Sequence, residues 1–175
     1  RGDNERAVQR LEESLTLFRE LGDHVGTYIS LYNLADAATT RGDYEQAQKL
    51  HEESLILKRE QHDEWSIANS LMSLAMIARH QDNSERAIQL LHEGLKLFRK
   101  IGDTTNIGFC LLEFSIIAAI RGNSQLAVQL YAAADTILKS LGYSSDQVYR
   151  AESERQMETV RSRMGEARFN AVSEL

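Results

Sequence analysis

Apolar residues recur along this chain at steps of three and four, and short polar joints interrupt them at regular intervals. Ala47, Leu50, Leu55 and Leu57, with the small Ser54, make one such run; Ala87, Leu90, Leu91, Leu95, Leu97 and Phe98 make another. Steps of that size place side chains on one face of a helix. A second kind of stripe alternates with the first: Leu31, Leu34, Ala35 and Ala38, then Leu71, Leu74, Ala75 and Ala78, then Leu111, Phe114, Ser115 and Ala118. The pattern predicts helices near residues 3–21, 25–40, 43–61, 64–80, 83–101, 104–120, 123–141 and 145–163, with a short last one at 166–174.

The joints repeat as well. "RGDNERA" at residues 1–7 returns as "RGDYEQA" at 41–47, "QDNSERA" at 81–87 and "RGNSQLA" at 121–127, so that Gly2, Gly42, Asp82 and Gly122 step by 40 residues. Gly22, His62, Gly102 and Gly142 keep the same step. A fixed period of this length marks a chain built from stacked supersecondary units. Each unit is a helix pair. Asp43 with Gln46, Asp82 with Glu85 and Ser144 with Gln147 have the spacing of a helix-opening capping box. Gly22, Gly102 and Gly142 suit the left-handed residue that closes a helix. Short side chains recur where paired helices must approach: Ala7, Ala47, Ala87 and Ala127 at one place, Ser14, Ser54, Gly94 and Ala134 at another.

The run "LYNLADAATTRGDYEQAQKLHEESL" resembles the tetratricopeptide repeat, with leucine and small residues on the first helix, G-D-Y at the turn and an alanine on the second. The resemblance implies an all-α, right-handed α-solenoid of antiparallel helix pairs. The period is longer than the roughly 34 residues of the common repeat, and the chain has no proline. The last third, through Gly165 and Phe169, is similar to the end of the repeat region in LuxR-type and related signal-transduction ATPase regulators. Ala151, Glu154, Arg155 and Glu158 replace the apolar stripe there, which suits a C-terminal capping helix, because a terminal repeat needs a polar outer surface. The expected organisation is a single array over 1–175: a second helix alone near 1–21, pairs at 25–61, 64–101 and 104–141, and capping helices at 145–175. Since Arg1 opens inside a repeat phrase, the expected chain is a fragment of a longer protein, which the regulator resemblance implies to be bacterial. Leu11, Leu15 and Phe18 of its first helix are expected to be partly uncovered.

Composition narrows the function. At 42% hydrophobic and 26% charged the chain has enough apolar residues to fold. Its net charge of −6 argues against a phosphate-binding surface, so no direct nucleic-acid contact is expected. No apolar run approaches the roughly 20 residues of a membrane span. With Cys110 alone no internal disulfide can form, which suits a reducing, cytoplasmic setting. The five histidines show no metal-ligand spacing and no P-loop or G-x-G-x-x-G occurs, so neither catalysis, metal nor cofactor is expected. The R-G-D tripeptides at Arg1 and Arg41 are accounted for as joints between helices.

What remains is a binding face. In the family resembled, the first helix of each pair lines a concave side where partner peptides lie. The matching positions here are Tyr32, Asn33 and Asp36, then Asn69, Met72 and Met76, then Phe109, Leu112, Glu113 and Ile116, with Ile29 at one end. They contain no lysine or arginine, and their apolar middle suits an amphipathic segment, with adaptable methionines and Phe109 as an anchor. The alternative is that Leu112 and Ile116 belong to the core between repeats. The expectation is a non-catalytic scaffold that binds a protein or peptide, or another domain of the same chain, within a transcription or signalling regulator. The second expectation is a module that self-associates as a homodimer.

Overall fold

The computed structural model describes residues 2–143 and 148–173, and among these it is all-α. The helices are α1 (Gly2–Glu20), α2 (His24–Thr40), α3 (Tyr44–Glu60), α4 (Glu64–His80), α5 (Ser84–Ile101), α6 (Thr104–Ile120), α7 (Ser124–Ser140), α8 (Val148–Met164) and α9 (Glu166–Ser173). Each begins and ends close to where the apolar stripes put it.

The joints explain the agreement. In Arg41-Gly42-Asp43, Gly42 takes φ +77° and the Asp43 amide donates back to the Ala38 carbonyl at 3.0 Å, closing α2. The Asp43 carboxylate then accepts from the Gln46 amide at 3.1 Å and opens α3. Asp23, Asp63 and Asp103 cap α2, α4 and α6 in the same way. Two joints lack the glycine: His62 at φ 54° and Asp82 at φ 60° occupy the left-handed region that favours it. Asp82 is therefore not the cap its spacing to Glu85 implied. It stands in register with Gly42, and the following residue, Asn83, accepts from the Arg86 amide at 3.1 Å. The Ser144–Gln147 cap lies outside the described residues.

The chain divides into two compact units, Arg1–Leu97 and Phe98–Leu175. In the first, α1 packs on α2, α2 on α3 and α3 on α4. Leu15, Leu31 and Leu34 form its centre with Val8, Leu11, Leu50 and Leu57 against them, and Ala38, Ala47 and Ile77 form a second cluster under Tyr44. Ala47 and Ser54 are fully buried, as their small size required. Ala7 departs from that expectation: it is exposed and lines an open cavity with Val8, Leu11 and Ala37. Arg19 pairs with Glu53, and Arg59 with Glu93 at 2.8 Å, so one exposed ion pair recurs a repeat later.

In the second unit α6 packs on α7, and α8 and α9 close over them. Met157, Val160, Phe169 and Val172 are buried with Ala118, Ala119, Ala127 and Val128. Gly165, at φ +82°, turns the chain between α8 and α9, and the Arg161 guanidinium lies 4.6 Å over the Phe169 ring.

Candidate functional site

Within the first unit, a cavity of about 170 Å³ opens between α2, the end of α3 and the start of α4. Tyr28, Ile29 and Tyr32 come from α2, Trp65, Ser66 and Asn69 from α4, and Lys58 from α3. Local structure sets each of them. Tyr28 and Tyr32 are one helical turn apart and so share a face. The Tyr28 hydroxyl donates to Asp63 at 3.0 Å, the same carboxylate that caps α4 at Ser66, which ties the tyrosine to the helix start. The Asn69 amide donates to the Trp65 carbonyl at 2.9 Å. Ile29 and Trp65 stand at the mouth, 49% and 54% exposed.

Lys58 is the unusual member. It is 3% exposed, and its Nζ donates to Ser70 Oγ at 2.8 Å and lies 4.3 Å from the Tyr32 ring centre and 5.4 Å from that of Tyr28. It forms no ion pair among the described residues. Burial lowers its amine from 10.5 to about 8, against the opposing pull of Asp63 and Asp36. Two neighbouring groups, Asp36 and His51, also shift away from charge. Partial burial of its carboxyl raises Asp36 to about 6 although Lys58 works the other way and the side chain keeps 53% exposure. Burial, helped by Lys58, lowers the His51 imidazole to about 4. His51 is fully buried, edge-on to Tyr32 at 5.1 Å; its Nε2 lies 3.6 Å from Asp36, beyond hydrogen-bonding distance, and neither ring nitrogen has a partner. Burial also works to raise Asp63, but hydrogen bonds from Ser66 and Tyr28 and the Lys58 charge hold it below 3.8.

The other residues of the expected face divide by unit. In the first, Asn33 and Asp36 are exposed, Met76 is half-buried and Met72 is buried. In the second, Leu112 packs with Ala134 and Leu138, and is 2% exposed; Ile116 is 1% exposed. Both are core, for the reason that gave α6 its apolar character: it is covered by α7 and α8. Glu113 is buried, and Phe109 is half-buried, edge-on to Tyr143 at 5.8 Å. Cys110 is fully buried and its thiol is pushed up to about 12 by that burial, which leaves it unreactive. No group of three or more His, Cys, Asp or Glu is arranged to hold a metal among the described residues. No helix there is long and apolar enough to cross a membrane.

Helix pairs of this kind are found in known proteins. Two family models, both of the tetratricopeptide repeat, match residues 1–60 and 67–101. The chain carries tetratricopeptide repeats. Its fold is that of solved repeat arrays. A crystal structure of nearly identical TPR-like repeats, from a Podosopora anserina protein named for kinesin light chain, superposes with a TM-score of 0.70 at 19% identity, covering 99% of this chain and 85% of that one. A second crystal structure, of a singly substituted form of the same repeats, gives 0.70 at 19%, with 99% and 84% covered. A comparison with curated proteins returned no match.

In the tetratricopeptide register, the structure joins Tyr32 and Asn69 of the expected face, with Ile29, in one cavity. Sequence reasoning missed Lys58 and Trp65. The repeat itself carried the signal: Phe18, Lys58, Phe98 and Leu138 stand at one position, 40 residues apart. Three neighbours break register with it, Tyr32 against Met72 and Leu112, Asp36 against Met76 and Ile116, and His51 against Leu91. Where Gly108 meets Leu138 in the second unit, Tyr28 and Lys58 stand in the first.

Proposed function

We propose that this chain is a non-catalytic interaction module that binds a peptide or partner domain on the face formed by α2 and α4, as the sensing array of a bacterial multidomain transcription or signalling regulator. One observation carries the reading: Ile29 and Trp65 hold apolar surface open beside a preformed cavity, with Asn33, Asp36 and Asn69 around it. An aromatic and aliphatic anchor pair bordered by polar groups is the composition of a binding hot spot. Phe109 and Glu113 hold the corresponding helix positions in the second unit. The regulator context rests on the resemblance of the C-terminal third alone, in which Gly165 and Phe169 occupy the G-x-x-x-F motif. Cytoplasmic action fits the single reduced cysteine.

The test is retention of a partner from the source lysate by wild type and by a folded Ile29→Glu, Trp65→Glu variant. Loss with the variant supports the face; equal retention removes it. A second reading is supported by Leu17 and Leu21, 58% and 78% exposed on and just after α1: these residues would pair copies of the array into a dimer. Sedimentation showing a monomer at high concentration rules that out.

A further inference from the structure

A charged amine in an aromatic setting with one hydrogen bond is expensive to keep. Lys58 has three N–H donors, of which one is satisfied by Ser70. A phenylalanine or leucine fills the same position in the other repeats, so the fold does not require the amine. Natural sequences break a local rule of this kind where the exception is used. Lys58 also lines an open cavity with Tyr28, Ile29, Tyr32 and Trp65, and its amine lies against the two tyrosine rings.

We propose that this cavity is an anion site, which takes a carboxylate on an apolar body: the body against Tyr28, Tyr32 and Trp65, the oxygens turned to Lys58 Nζ. The proposal names the ligand class of the α2–α4 face and so rests on reading that face as the binding surface. The interaction is strong because the amine is already stripped of water, so its attraction for a carboxylate is weakly screened. The cavity holds one small group and not a helix. The ionisable groups around the amine are Asp36 on α2, His51 on α3, Asp63 at the head of α4, and Tyr28 and Tyr32. Asp63 is occupied by Tyr28 and Ser66 and forms no ion pair with Lys58, and His51 is neutral at neutral pH and so adds no repulsion, which leaves the amine without a counter-charge at hydrogen-bonding range. Asp36 is the competitor: its half-exposed carboxyl, raised to about 6, stays largely ionised at pH 7 and attracts Lys58 without forming an ion pair with it, so an added carboxylate must outcompete it.

Trp65 is the sole tryptophan, so its indole N–H resonance reports on the cavity mouth. The chain is titrated with benzoate, with benzyl alcohol as the uncharged counterpart, and with a blocked glutamyl-leucine dipeptide that carries a carboxylate on its side chain alone. Wild type should bind benzoate at least about tenfold more tightly than benzyl alcohol, and Lys58→Leu, which restores the residue type of Leu138, should abolish that preference. Benzoate binding should weaken as pH rises through 8, where the amine loses its proton. Tighter binding of the dipeptide than of benzoate places the carboxylate on a partner's side chain; the reverse order places it on a free organic acid. Equal affinity for benzoate and benzyl alcohol, no binding, or an unchanged preference in folded Lys58→Leu overturns the proposal. Because this titration uses no protein partner, its failure alongside partner loss in the Ile29→Glu, Trp65→Glu variant would remove the anion and keep the face.

Discussion

Replacing Lys58 by leucine should change the pH dependence of stability more than stability itself. In the folded chain the amine moves from 10.5 to about 8. At 1.36 kcal/mol per tenfold, such a shift corresponds to about 3 kcal/mol against folding while the amine is charged. Water at the cavity mouth screens part of this, leaving ~1–2 kcal/mol. Leucine removes that cost but also two ring contacts, about 0.5 kcal/mol each, and the Ser70 bond, about 1 kcal/mol. At pH 7 the variant should therefore lie within ~1 kcal/mol of wild type. Between pH 8 and 10.5 the unfolded lysine binds more proton than the folded one, so wild-type stability rises with pH across that window. Relative to the variant, wild type should gain ~1 kcal/mol between pH 7 and 10, since the shared tyrosines and lysines cancel in the difference. Urea unfolding of both proteins at the two pH values reads it directly. A difference that does not change with pH, or a variant that loses several kcal/mol at pH 7, would refute the account of Lys58 as a strained, dispensable cation.

Other outcomes follow from the same packing. Leu74→Ala, at 4% exposure, should cost about 2–4 kcal/mol in urea unfolding through the cavity it leaves in the first unit. Gly108→Ala should cost about 1–3 kcal/mol, because the added methyl would sit 2.8 Å from Leu138 Cγ, and a double variant with Leu138→Val should recover part of the loss. Asp82→Gly should stabilise by up to about 1 kcal/mol, measured by thermal unfolding, since φ 60° is strained for aspartate and open to glycine. The Cys110 thiol should ignore a disulfide reagent in the native chain at pH 8 and react once urea unfolds it; prompt native reaction would contradict its burial.

The fold was legible because each joint writes its own chemistry. At the joints that open α2 to α7, a residue that takes the left-handed conformation followed by Asp or Asn marks both the end of one helix and the start of the next, and the stripes between decide which sides meet. Asp82 was misread as a cap from its spacing to Glu85 instead of its alignment with Gly42, and Ala7, expected at a close approach of helices, is exposed. The site was less legible. Tyr32 and Asn69 were found from the helix face, but Leu112 and Ile116 occupy the same face and are core, because coverage by α7 and α8 depends on tertiary packing that periodicity does not carry. Lys58 lies on a second helix, where lysine reads as an ordinary solvent residue. Only the comparison of one repeat with another shows that its position is interior.

The residues around Lys58 come from α2 and α3 of one repeat and from the first turns of α4 of the next. Neither repeat contains the cavity by itself, so the cavity is a property of their order. The joints that open α2 to α7 share one capping chemistry, so recombination that copies, deletes or exchanges a repeat among them finds matching ends. Such an event at Gln61-His62-Asp63 would keep the scaffold and erase the cavity in a single step. An exchange at another of these joints would leave the cavity in place, so this one junction acts as an indivisible block.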